Sequence, residues 1–178
     1  MAHPPTIQLQ QFCQLFDFPD RPVRFVLEQG FVPKGVDPHP ATGNRREFGP
    51  RQAFWLAITM YLKSGGLKVP AAAVIADIAI EGIRGAAQNL SWDPTFLPFE
   101  GWFETGHRYF VDVAERQFIR LTTDAYPSRE GLQELIWAPV DRRHMPPKNF
   151  APCVFIRVDA SAIARVLSKV DGWKCPHL

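Results

Sequence analysis

The chain is poor in the features that mark a secreted, membrane-spanning or catalytic protein. Cysteine is scarce: Cys13, Cys153 and Cys175 are three in 178 residues, an odd number with no short pairing. A disulfide-stapled scaffold is excluded on that count, and reduced thiols in the cytoplasm are the expectation. Long apolar runs are missing too. The longest, residues 69–80, contains Asp77 and falls short of the roughly 20 apolar residues that cross a bilayer, so no membrane partner is expected. The first eleven residues lack the basic run and apolar block of a secretory signal. There is no glycine-flanked serine elbow, no phosphate-cradling glycine loop and no cysteine–histidine–asparagine arrangement, so neither catalysis nor a cofactor is expected. Cys175 and His177 are one residue apart, and His39, His107 and His144 are scattered, a spacing that defines no metal site.

Net charge is also small, +2 overall. Its distribution is uneven: +3 over residues 1–70, −1 over 71–90 and zero over 91–178. The surplus in the first segment permits a polyanionic partner without requiring one.

Against these absences, 46% of the residues are hydrophobic, enough for a packed core. Seventeen prolines punctuate the chain into short elements. Leu9, Phe12, Cys13 and Phe16 recur at helical spacing over residues 7–16, with Cys13 on the buried face. Pro19 biases Phe18 away from helical angles and ends that helix. Asp20 is placed to cap a second helix that carries Val23, Phe25, Val26 and Leu27 and stops near Gly30. Residues 34–46 are polar, rich in glycine and proline, and end in Arg45-Arg46-Glu47-Phe48, the pattern of a β-hairpin wing. A third helix over 50–64 starts at Pro50 and stops at Gly65-Gly66; a fourth spans about 70–87.

The second half changes character. Residues 90–106 are aromatic and proline-rich, with Trp92, Phe96, Phe99, Trp102 and Phe103, read as the seam between the halves or as a ligand or dimer surface. Residues 109–113 and 117–122 alternate apolar and polar and, joined by Ala114-Glu115-Arg116, read as a hairpin. Asp112 and Glu115 are expected to be solvated there. Further strands are expected over 135–140 and 153–158, the second burying Cys153. Asp159 then caps a helix reaching about residue 170, with Ile163, Val166 and Leu167 on its buried face.

The order helix, turn, helix, wing, helix, helix resembles the DNA-binding head of the MerR family of transcriptional regulators. Arg24, Phe25, Glu28, Gly30 and Pro33 follow the outline of that family's second helix and its exit. Gly43 and Arg46-Glu47-Phe48 follow its wing, and Leu62 to Leu67 its next helix and glycine step. Asp17 stands where the family has glycine, Val26 replaces its second aromatic, and no long coiled-coil helix follows. The resemblance covers the N-terminal part and implies a winged helix-turn-helix over residues 1–90. With the hairpin, strands and helix read in the second half, the chain is expected to be α+β, residues 91–178 forming a small antiparallel β-rich domain with a C-terminal helix. The resemblance also implies sequence-specific binding of double-stranded DNA; because one such head makes few contacts, a homodimer paired through the C-terminal half is expected.

Residue chemistry points the same way. Arg21 and Arg24, three apart, share one helix face, and arginine suits both phosphates and guanine edges. Arg45 and Arg46 would grip the flanking backbone. Lys63 is a further phosphate candidate, while Phe25 and Phe48 are assigned to packing. The alternatives are a protein-interaction module, a phage- or plasmid-type DNA accessory factor, and a sensor binding a small ligand or protein partner through the C-terminal half.

Overall fold

The computed structural model describes residues 5–37, 40, 45–88, 108–123, 138–141, 143–147 and 150–173, side chains of 82–88, 109 and 123 excepted. Among them are five helices and two antiparallel sheets, so the chain is α+β. The expected aromatic segment 90–106, Gly43, His39, His107, Cys175 and His177 lie outside the described residues, as does most of the boundary between the two expected domains.

Strand β1 (Ile7–Gln8) precedes helix α1 (Leu9–Phe16), so the helix expected from residue 7 starts two residues later. The backbone N–H of Gln8 donates to Gln11 Oε1 (2.9 Å), which satisfies a donor left open at the helix start. Asp17 closes α1 in the left-handed region (φ 53°), a conformation that aspartate tolerates better than most residues. Helix α2 (Asp20–Glu28) follows. Pro19, and not the expected Asp20, holds the cap position; Asp20 is the first helical residue, where its charge meets the positive end of the helix. Gly30 (φ 81°) takes the chain out of α2, and a turn at Lys34-Gly35 leads Val36 back into the core.

Strand β2 (Glu47–Phe48) pairs with β1, Ile7 opposite Phe48 and Gln8 opposite Glu47. The hairpin expected over 34–46 falls largely on positions 38, 39 and 41–44, outside the described residues. Helix α3 (Pro50–Ser64) is apolar nearly all round, and every residue from Ala53 to Met60 is buried. A helix of that composition belongs at the centre of a core. It stops at Gly65-Gly66, Gly66 at φ 95° and Leu67 N–H donating to Leu62 O (3.1 Å). Helix α4 (Val69–Gln88) packs along it.

The larger sheet has the order β5-β4-β3-β6, formed by β3 (Tyr109–Ala114), β4 (Phe118–Thr123), β5 (Ala138–Pro139) and β6 (Phe155–Asp159). Of the strand expected over 135–140, positions 138–140 are described, and Ala138–Pro139 form β5. The β3–β4 turn holds Glu115 and Arg116 at φ 50° and 60°. Strand β6 begins later than expected, and Cys153 lies before it, exposed. Asp159 caps helix α5 (Ala160–Leu167), accepting from Ala162 N–H (2.9 Å). Val111, Val113, Ile119 and Val158 of the sheet's inner face join α3 and α5 in one continuous core that also holds Ile7, Phe12, Leu27 and Phe48. Trp173, fully buried, donates from Nε1 to Pro5 O, tying the far end of the described chain to its beginning.

Candidate nucleic-acid interface

Helix α2 has two unlike faces. Val23, Val26 and Leu27 are 0% exposed. Arg21, Arg24, Phe25 and Glu28 are exposed, and their spacing of three and four residues puts them on one outer face. Nine residues cannot stabilise a helix alone, so the three buried residues fasten α2 and thereby fix the direction of its outer face.

Arg24 is ion-paired through Nε with the Asp20 carboxylate one turn earlier, a partner other than Glu28, and that hydrogen bond pushes the guanidinium pKa further up. Both side chains are about half exposed, so the pair is one that solvent screens. Arg21 makes no ion pair among the described residues. Phe25, expected to pack, is 48% exposed, whereas Phe48 is fully buried as expected.

Arg45 lies two residues before β2 and donates from Nη1 to Gln8 Oε1 (2.9 Å), which holds it against the start of α1. Arg46 is half-buried and engaged by its surroundings. Lys63 sits in the last turn of α3, half-buried, where a cation complements the helix end. Arg21 and Arg24 thus come together on α2, Arg45 belongs to the β1–β2 corner, and Lys63 is on neither element.

The exit from α2 is held by a cleft lined by Pro33, Lys34, Arg51, Gln52, Trp55, Asp77, Ile80 and Glu81. Gln52 Nε2 donates to Lys34 O (3.4 Å), Trp55 Nε1 to Asp77 Oδ1 (2.8 Å), and Arg51 pairs with Glu81 (2.9 Å). The Arg51–Glu81 pair and the Trp55–Asp77 bond join α3 to α4, and Gln52 holds the segment after α2 against α3. Cys13, buried as expected, has its thiol pKa raised, first by burial and then by Asp20, with Arg24 acting in the opposite direction.

A second constellation escaped the sequence reading. Asp112, expected to be solvated, is 0% exposed in the middle of β3. Its neighbours in register are Arg120 of β4 and Arg157 of β6. Arg157 donates to both carboxylate oxygens (2.7 and 3.0 Å), Arg120 donates twice to Oδ2 (3.2 and 3.1 Å), and Thr122 Oγ1 adds a fifth bond (3.2 Å). The Arg157 guanidinium lies over the rings of Phe110 (4.7 Å) and Phe155 (5.2 Å), so ring and carboxylate both favour its charge. Strands β3 and β4 each carry one charged residue, and β6 carries Arg157 with Asp159 two places on; these were visible beforehand, but that Asp112, Arg120 and Arg157 meet was not. With one bond to Oδ1 and four converging on Oδ2, this buried carboxylate ties the three strands together in register.

Among the described residues no group of three metal-ligating side chains gathers, and no helix is long and apolar enough to cross a membrane. Compared with protein-family models, curated proteins and solved structures, the chain matches none of them significantly.

Proposed function

We propose that the chain binds double-stranded DNA, laying the outer face of α2 in the major groove as the recognition helix of a winged helix-turn-helix, and that it acts as a transcriptional regulator in the cytoplasm. One observation carries the reading: on a short helix whose inner residues are wholly buried, Arg21, Arg24 and Phe25 all face outward. A groove-reading helix needs that division of faces. The tight turn at Asp17, the β1–β2 pairing that brings Arg45 to the start of α1, and the likeness to MerR heads support it. One such head makes few phosphate contacts, so useful affinity calls for a homodimer with paired half-sites, the pairing surface lying in the C-terminal half. A small ligand or protein partner would act there.

The outer face of α2 also carries Asp20 and Glu28, which cancel the charge of its two arginines. That balance favours a second reading, a protein-interaction helix. Fluorescence anisotropy of the full chain on labelled duplex over a salt series separates them. Duplex binding predicts a log–log salt slope of about −0.9 for each phosphate contact, and Arg21→Ala with Arg45→Ala shallows it by up to about 2 if both touch phosphate. Absence of binding at low salt, with the protein folded, removes the DNA reading and leaves the interaction helix.

A further inference from the structure

Phe25 is the residue of α2 that folding does not account for. It is 48% exposed, while the other apolar residues of the helix, Val23, Val26 and Leu27, are 0% exposed. It makes no ring contact among the described residues, although Phe12 and Phe16 of α1, Phe18 after it and Tyr61 of α3 are joined in a continuous set of such contacts. Its neighbours on the outer face are Arg21 one turn earlier, Arg24 beside it and Glu28 one turn later.

A phenyl ring has neither donor nor acceptor, so it cannot read a hydrogen-bonding edge. Of the groups that a base pair shows in the major groove, only the 5-methyl of thymine is apolar. The neighbouring cations suit the ring's surroundings to a polyanion: Arg21 has no acidic partner among the described residues, and Arg24 is held by a screened surface pair. Four residues at 1.5 Å each separate Arg21 from Phe25 by about 6 Å along the helix axis, which is close to two base-pair steps.

We propose that Phe25 is a specificity-determining residue that packs on a thymine methyl group, about two base pairs from the group met by Arg21. This rests on the duplex-binding reading above. It makes the favoured ligand thymine-containing DNA, and it sets deoxyuridine in the same duplex apart by one methyl group. Asp20 and Glu28 at the two ends of the face limit the cationic contribution, so the ring's apolar contact supplies discrimination that charge does not.

The test uses the full-length chain. Duplexes with a randomised core are enriched on the protein, and the enriched duplex is resynthesised with each thymine in turn replaced by deoxyuridine. At one or two positions per half-site the replacement weakens wild-type binding about fourfold, the value of one buried methyl group. Phe25→Ala binds the thymine duplex more weakly and loses sensitivity to those replacements, while Phe25→Leu keeps part of it. The uridine arm uses wild-type protein, so a folding defect in a variant cannot imitate it. Binding that persists unchanged through every replacement, or a pool that binds without enriching any sequence, overturns the proposal and leaves duplex binding standing. Equal sensitivity in wild type and Phe25→Ala overturns it as well. No binding to any duplex at low salt fails the underlying reading, and a dimer lost on Phe25→Ala assigns the ring to a second copy of the chain instead.

Discussion

Replacing Asp112 by asparagine is the sharpest test of how the larger sheet is held. The side chain is 0% exposed and accepts five hydrogen bonds from Arg120, Arg157 and Thr122. Asparagine keeps the shape but removes the charge, and its amide turns two N–H donors toward guanidinium groups that need acceptors. Removing one partner of a buried pair costs about 3–5 kcal/mol. The arginine side chains retain 27% and 44% exposure, so water takes up part of their demand, which puts the expected cost near the lower end, about 3 kcal/mol. For a chain of this size that is a fall in Tm of roughly 6–12 °C. Thermal and urea unfolding followed by circular dichroism measure it directly. A triple variant, Asp112→Leu with Arg120→Met and Arg157→Met, leaves no charge unmatched and is expected to be more stable than Asp112→Asn. A loss below about 1 kcal/mol for the single variant, or a triple variant less stable than the single, would refute the account of the cluster.

Four further outcomes follow from particular residues. Glu115 and Arg116 sit at positive φ in the β3–β4 turn, a conformation that asparagine and glycine adopt at lower cost. Glu115→Asn with Arg116→Gly is therefore expected to stabilise the chain by about 1 kcal/mol, seen as a higher Tm. Burial raises the thiol pKa of Cys13 and the phenol pKa of Tyr61. Both groups keep their protons in the folded state at pH values where the unfolded chain releases them, so the urea midpoint falls as pH rises from about 8 to about 10.5. In the same range Cys153 is alkylated before Cys13. Finally, Asp20→Asn frees Arg24 and removes a negative charge from the outer face of α2. Anisotropy should show duplex affinity rising roughly two- to fivefold, against a stability loss of about 0.5–1 kcal/mol from the missing charge at the helix start.

The amino-acid sequence by itself determined the elements that local signals write. Pro19 parts α1 from α2, Pro50 and Gly65-Gly66 bracket α3, and Asp159 caps α5, because a fixed φ, a missing N–H or a side-chain acceptor acts on its own few residues. Alternation over residues 109–122 likewise marked β3 and β4. The outer face of α2 was legible because helical spacing separates Arg21 and Arg24 from Val23, Val26 and Leu27.

Tertiary structure alone decided which distant pieces meet. Ile7 pairs with Phe48, Arg45 reaches Gln8, Trp173 bonds Pro5, and Asp112 gathers Arg120 and Arg157. Periodicity tells which side of an element is apolar, but not which element will cover it. Asp112 therefore read as a solvated acid on an exposed hairpin, Cys153 as a core residue and Phe25 as packing, and each was reversed by what lies, or does not lie, against it. Apolar residues separate from polar ones by rules that act along the chain, whereas neighbours across a sheet or core are chosen by the joint burial of surfaces many residues apart.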